Sequence, residues 1–222
     1  MILSINNIEY KMNSKYKISE FKKLLAYDIT LESYWPNVIA TAFNAPIEKI
    51  SLLEYEHKKI AISFISLYLN NIKADYINTN LIDLDNISLA NYIDLEVYFN
   101  SGLHSNLDKI IKILFNVDED DYINEYWGGV LFFINWRNQV IKSYKNLFNN
   151  DDEDETEANK SNNYVASSWF KTVAFLADDD ILKMNQILEL NFKLVFNFLS
   201  YKKEKIHNEL RASNRTHTRY NQ

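Results

Sequence analysis

Three glycines, two prolines and no cysteine in 222 residues leave this chain few ways to turn sharply and few ways to build a reactive site. Glycine lets a backbone enter the left-handed region and approach a ligand closely, so phosphate-cradling loops depend on it. Cysteine clusters hold zinc or carry redox chemistry. Neither kind of site can be made here in its usual form. Long stretches without breakers instead favour helices. The breakers that exist, Pro36, Pro46, Gly102 and the pair Gly128-Gly129, sit where helix boundaries are expected. The predicted fold class is therefore mostly α, a multi-helix bundle, with a short N-terminal β-hairpin. A hydrophobic fraction of 47% is ample for a packed core.

The hairpin is read from Ile2/Leu3/Ile5 and Ile8/Tyr10/Met12, which flank Asn6-Asn7, because asparagine tolerates the positive φ of a two-residue primed turn. Ser19 is the expected cap of a first helix carrying Phe21, Leu24 and Leu25. A second helix is predicted from about Pro36 to Phe43, and Pro46 opens a short turn to Ile50. Ser51-Leu52-Leu53-Glu54 has the form of a capping box, and it predicts a helix to about Asn70 with Leu53, Ile60, Phe64 and Leu67 on one stripe. Residues 71–86 read as irregular. Ile87-Ser88 with Tyr92 repeats the staple-and-cap pattern ahead of Leu89, Ile93, Glu96 and Phe99. Ser105-Asn106-Leu107-Asp108 opens a helix through Ile110, Ile111 and Leu114. A long helix over 129–148 puts Phe133, Trp136, Val140, Tyr144 and Leu147 on one face. Later helices run through Val165, Trp169 and Val173, from Ile181 to Leu188 after a turn at Asp178-Asp179-Asp180, and from an Asn191 cap through Phe192, Phe196, Leu199 and Ile206.

The formal net charge is −6, and six acids lie together at Asp151, Asp152, Glu153, Asp154, Glu155 and Glu157. Residues 149–163 contain no apolar residue larger than alanine and cannot offset the entropy of ordering. The expected organisation is 1–75 as the hairpin with a helical module and 76–148 as a central helical module. It continues with 149–163 as an acidic flexible linker or loop, 164–212 as a C-terminal helical segment packing on the rest, and 213–222 as a frayed polar tail. The N-terminus lacks the basic and apolar regions of a signal peptide, and 130–134, the densest apolar run, is too short to span a bilayer. A soluble, non-secreted protein is expected.

No chemistry-bearing motif emerges. His57, His104, His207 and His217 offer no helical pair at three or four residues, and there is no H-E-x-x-H. Asp118-Glu119-Asp120-Asp121 and Asp178-Asp179-Asp180 lack the glycine and the alternate ligand spacing of a calcium loop. They are read as helix-terminal charge and solvated turns. Neither G-x-S-x-G nor a Walker-type loop is present. No catalytic, cofactor-binding or metal-ligating residue is assigned, no cofactor is expected, and the chain is read as not an enzyme. Glu204 and Glu209 dilute the basic C-terminus, so nucleic acid is not the expected partner, nor is a membrane. Gly128-Gly129 reads as a tight turn feeding a helix, with close approach of another backbone as the alternative.

What remains is apolar helical surface. A helix with apolar residues on nearly every side needs deep burial or a partner. The expected interaction surfaces are the helices around 52–69, 130–148 and 192–206, with Phe64, Leu67, Phe133, Trp136, Val140, Phe192, Phe196 and Leu199 as the interaction residues.

Three stretches carry a family resemblance. The hairpin leads into Ile18-Ser19-Glu20-Phe21-Lys22-Lys23-Leu24 and then Ala45-Pro46-Ile47-Glu48-Lys49-Ile50-Ser51-Leu52-Leu53-Glu54-Tyr55. The second is Ile87-Ser88-Leu89-Ala90-Asn91-Tyr92-Ile93-Asp94-Leu95-Glu96 with the helix that follows. The third is Trp169-Phe170-Lys171-Thr172-Val173-Ala174-Phe175-Leu176-Ala177 with Val195-Phe196-Asn197-Phe198-Leu199. At the level of pattern, the chain resembles the helical tail-assembly chaperones and virion assembly proteins of tailed bacteriophages. The resemblance implies a non-enzymatic protein that holds a helical partner, such as the tape-measure or another tail protein, soluble during assembly. It would then reside in the host cytoplasm or in the virion. A structural component of the tail, baseplate or neck is the alternative, and a small helical enzyme or regulator a second one. Self-association is also open, for example by the basic tail docking on the acidic segment of a second copy.

Overall fold

A computed structural model describes residues 1–13, 15–71, 80–148 and 162–220, and in the last stretch the side chains of 165–209 and 211. The architecture is mostly α with an N-terminal antiparallel hairpin. The elements in order are β1 Ile2–Ile5, β2 Ile8–Lys11, α1 Ile18–Leu25, α2 Trp35–Phe43, α3 Ile47–Ser51, α4 Tyr55–Asn70, α5 Leu89–Asn100 and α6 Leu107–Phe115. They continue as α7 Trp127–Ser143, α8 Lys145–Phe148, α9 Asn162–Leu176, α10 Ile181–Glu189 and α11 Phe192–Tyr220. The chain forms two compact units that interleave in sequence. Unit 1 is Met1–Leu81 with Ser101–Phe132, and unit 2 is Ile82–Asn100 with Phe133–Gln222. This division differs from the consecutive blocks 1–75, 76–148 and 164–212, because unit 1 takes back α6 after the chain has already supplied α5 to unit 2.

In unit 1 the hairpin turns at Asn6 (φ 49°) and Asn7 (φ 62°), with Ile5 opposite Ile8. Positive φ at both central residues is the primed turn whose twist suits paired strands. Leu3 and Ile5 alternate onto the buried face. The Asn13 N–H donates to the Ala42 carbonyl at 3.3 Å and ties the hairpin's exit to α2.

Helix α1 buries Ile18, Phe21 and Leu24 and begins ahead of the expected Ser19 cap. Its free N–H groups are satisfied from elsewhere. Ile18 donates to the Asp121 carbonyl at 2.8 Å and Ser19 to the Glu119 carbonyl at 3.1 Å. The Lys17 N–H donates to the Glu20 carboxylate at 3.1 Å, and Lys17 Nζ pairs with Asp120 at 2.8 Å. The acidic run 118–121 is thus a strap across a helix N-terminus, where negative charge also meets the favourable end of the macrodipole.

Helix α2 carries Pro36 in its first turn and closes on Asn44 in the left-handed conformation (φ 47°), which asparagine accepts at a C-cap. The expected capping box at Ser51 is not used. Ser51 ends α3, its hydroxyl donating back to the Ile47 carbonyl at 2.8 Å, and α4 starts only at Tyr55. Helix α4 turns inward a different stripe from the one that carries Phe64 and Leu67. Ala61, Ile62 and Ile65 are buried, whereas Ile60, Phe64 and Leu67 are 49, 48 and 58% exposed. Helix α6 starts after Asn106 rather than on a Ser105 cap, and it ends on Asn116 at φ 55°. Gly128 and Gly129 lie inside the first turn of α7, not in a turn before it. The close approach at Gly129 comes from a side chain: a Cβ there would stand 3.1 Å from Cε2 and 3.2 Å from Cε1 of Phe115, and nearer still to Cζ.

In unit 2, Ser88 caps α5 as expected, its hydroxyl accepting from the Asn91 N–H at 3.2 Å. Helix α7 ends at Ser143 and a separate turn, α8, follows, where one helix to 148 was expected. The expected linker 149–163 lies outside the described residues up to 161, and Asn162 already opens α9. The turn after α9 is where it was expected. Asp178 and Asp179 are both left-handed (φ 52° and 58°), and Asp180 caps α10 by accepting from the Leu182 N–H at 2.9 Å. Asn191 caps α11, accepting from Lys193 N–H at 2.8 Å. That helix runs through the stretch read as a frayed tail from Ser213, reaching Tyr220, so its 29 residues extend about 43 Å.

Candidate functional site

The cap residues of α5 and α11 bring the two helix starts of unit 2 together. Leu89 N–H donates to the Leu190 carbonyl at 2.7 Å and Phe192 N–H to the Ile87 carbonyl at 3.2 Å. Asp85 fastens the same corner. Its Oδ1 accepts from the Trp136 indole N–H at 3.1 Å and from Lys193 Nζ at 2.8 Å, and its carbonyl accepts from the Asn191 amide at 3.0 Å. The Lys193 hydrogen bond, and then that of Trp136, hold the Asp85 carboxyl below the usual carboxylate range.

From this corner the apolar faces of α5, α7, α9 and α11 converge on Tyr92. Its ring stacks on Phe192 at 4.9 Å and meets Phe196, Trp169 and Trp136 edge-on at 5.0, 5.9 and 6.2 Å. Burying an aromatic of this size contributes on the order of 1.5–3 kcal/mol, with edge-to-face pairs adding to it. Burial, reinforced by the charge of Glu96, pushes the Tyr92 hydroxyl above its ordinary range.

One turn along α5 sits Glu96, the charged residue among those buried. Arg137 of α7 clamps it with both arms, Nε 2.6 Å from Oε1 and Nη2 2.7 Å from Oε2. The Asn100 amide donates to Oε2 at 3.2 Å, and the guanidinium lies 4.4 Å from the centre of the Phe99 ring. The planar guanidinium of arginine suits this paired and stacked arrangement, which lysine would not reproduce.

Beside the pair, α5, α7, α8, α9 and α11 enclose a cleft of about 540 Å³. Its lining is mainly apolar, with Ile141, Leu147, Phe148, Trp169, Phe196 and Leu199. Lys202 and Lys203 stand on the rim, Lys203 Nζ donating to the Asn146 carbonyl at 2.6 Å. Within the cleft, Glu96 answers Arg137. A second, wholly apolar hollow of about 330 Å³ lies between Leu176, Ile187, Leu190, Leu194, Val195 and Phe198. Among the described residues no group of three or more His, Cys, Asp or Glu side chains could hold a metal. None of the helices searched among them is long and apolar enough to cross a membrane.

The expected interaction residues divide into three groups. Phe133, Trp136, Val140, Phe192 and Phe196 are buried in the core of unit 2, so they pack on their own chain rather than presenting a face. Leu199 is half-buried and lines the cleft. Phe64 and Leu67 are exposed on α4 in unit 1. Arg137 and Trp169 were not among the expected interaction residues. The signal for Arg137 was available in Glu96, a carboxylate on an apolar helical stripe, which requires a buried partner. Of the four histidines, His57, His104 and His207 are exposed, as a surface reading anticipates.

The molecule is thus a mostly α protein of two units with a mainly apolar cleft in the second. No family model, no curated protein and no solved structure matches the chain.

Proposed function

We propose that this chain is a non-enzymatic assembly protein of a tailed bacteriophage, acting as tail-assembly chaperones do by holding a helical partner. The observation that carries this reading is apolar surface left uncovered at helical spacing in both units. In unit 1, Ile60, Phe64 and Leu67 stand at i, i+4 and i+7 on the outer face of α4. In unit 2, Leu194, Phe198 and Tyr201 repeat that spacing on α11 and are 59, 45 and 60% exposed. Spacing of this kind is the complement of another helix, which docks by the same i, i+3/i+4, i+7 rule. Exposed stripes of large apolar residues are unfavourable unless something covers them for part of the protein's life. The sequence resemblance supplies the phage context.

Mass spectrometry of purified virions, beside cross-linking in cells during assembly, tests the proposal. The expected result is absence from the virion together with cross-links to an extended helical tail protein. Stoichiometric presence in virions would replace the transient holder with a structural component of the tail, baseplate or neck. Cross-links to no tail protein at all would overturn the assembly reading.

A further inference from the structure

We infer that the surface of unit 1 built from Tyr34, Tyr55 and Glu32 docks an arginine-bearing segment of a partner protein. This is a second surface with its own chemistry, and it does not depend on the helix-holding reading.

The rings are the first reason. The chain after α1 leads into Trp35 at the start of α2, and Tyr55 opens α4. Trp35 and Tyr55 stack with centroids 5.5 Å apart, and Tyr34 lies against Tyr27 at 5.7 Å. Trp35 is buried, whereas Tyr34 and Tyr55 remain 40 and 48% exposed. These rings are held before any partner arrives. The Tyr55 hydroxyl donates to Glu32 Oε1 at 2.7 Å, and the Trp35 indole N–H donates to the Ile29 carbonyl at 3.0 Å. Asp28 accepts from the Thr30 N–H at 2.9 Å and from its hydroxyl at 2.6 Å. Side chains fixed in advance lose little freedom on binding, and tyrosines are frequent anchors of interfaces.

Charge selects the occupant. Among the described residues Asp28, Glu32 and Glu56 make no ion pair, and Glu54 approaches His57 at 3.9 Å. The Glu32 hydrogen bond, then burial, then the charges of Glu32 and Glu56 push the Tyr55 hydroxyl above its ordinary range, which places both carboxylates about this ring. A purely apolar partner would strip water from them and return no counter-charge. Arginine answers both halves of the surface. Its guanidinium plane stacks on an aromatic face, and its fork of donors takes a carboxylate. Lysine brings the same charge without the plane.

The test uses the full chain and two fluorescein-labelled Gly/Ser peptides of about 12 residues, flexible enough to fit an open surface. One carries two arginines and the other two lysines at the same positions. Fluorescence anisotropy reads binding, and circular dichroism checks the fold of each variant. The acidic run 151–157 attracts both peptides alike, so the readout is the difference between them. The arginine peptide is expected to bind about three- to fivefold more tightly, the scale of an exposed cation–π contact. Tyr34→Ser is expected to remove that preference while both peptides still bind. Glu32→Gln, whose amide oxygen can still accept from Tyr55, is expected to weaken both about threefold, the scale of one surface ion pair. Equal binding of the two peptides, or no binding by either, overturns the inference. An arginine preference that survives both variants also overturns it, because the guanidinium then sits elsewhere on the chain. The virion and cross-linking outcomes judge the assembly reading independently of this surface.

Discussion

Gly129→Ala sets two effects of opposite sign against each other. Inside a helix, Ala is favoured over Gly by about 1 kcal/mol, so the change would stabilise α7 at an open site. Gly129 is not open. The added methyl would lie 3.1 and 3.2 Å from two ring carbons of Phe115 and closer to the third, which is less than carbon atoms tolerate. The struck atom is the end of a buried ring, which itself packs on Tyr126 with centroids 5.0 Å apart. A rigid ring so held cannot swing aside as an exposed lysine would, and overpacking of this kind costs about 1–3 kcal/mol. With repulsion at the upper part of that range, the variant loses about 1–2 kcal/mol net, or roughly 2–8 °C in Tm for a chain of this size. Urea unfolding followed by far-UV circular dichroism reads the change. Phe115→Leu removes the struck ring atoms, so Gly129→Ala combined with it should lose about 2–3 kcal/mol less than the sum of the two single losses, the whole of the repulsion. If Gly129→Ala raises stability by about 1 kcal/mol, as at an open helical position, the ring does not occupy that space and the reasoning is wrong.

Two further outcomes concern unit 2. Glu96→Ala strands the Arg137 guanidinium in a largely buried site and should cost about 3–5 kcal/mol in urea unfolding, whereas Glu96→Leu with Arg137→Met should recover most of it; equal losses in both would refute the pairing. Asp85 has a folded pKa below its unfolded value, so its contribution is fully present above the ordinary carboxylate range and is lost as pH falls through the folded pKa. The stability gap between the protein and Asp85→Asn should therefore be open at pH 6 and shrink at values below about 4, and a gap unchanged with pH would remove Asp85 from the clasp.

Most element starts were legible because they are written in local chemistry. Asn6-Asn7 dictates a primed turn whatever surrounds it. Ser88, Asp180 and Asn191 each cap the helix that follows by accepting from an N–H two or three residues on. Ser51 shows the limit of the same code. Its spacing to Glu54 is that of a capping box, yet the preceding turn from Ile47 also accepts it, and the hydroxyl bonds backward to the Ile47 carbonyl. Two adjacent helical segments competed for one serine, and only their packing decided between them. The strap of residues 118–121 over α1 was out of reach for a different reason. Its acids suggest a solvated turn, while the groups that bind α1 are the carbonyls of Glu119 and Asp121, which any residue would carry.

The candidate site was harder to read because α4 and α11 are apolar on more than one face, and periodicity alone cannot say which face turns inward. On α4 the stripe of larger side chains, Ile60, Phe64 and Leu67, is the one left outside. Close packing against α2 selects the stripe containing Ala61 instead, since a small residue lets two helix backbones approach. On α11 the residues with the strongest aromatic signal, Phe192 and Phe196, are the ones taken inward by Tyr92, and this leaves Leu194, Phe198 and Tyr201 outside. That choice hid the α11 surface, whereas Phe64 and Leu67 on α4 were read as interaction residues and are exposed. On α11 the side chains most readily read as binding residues, Phe192 and Phe196, are those best able to build the core, and the outer face is made of the apolar residues that the core leaves over.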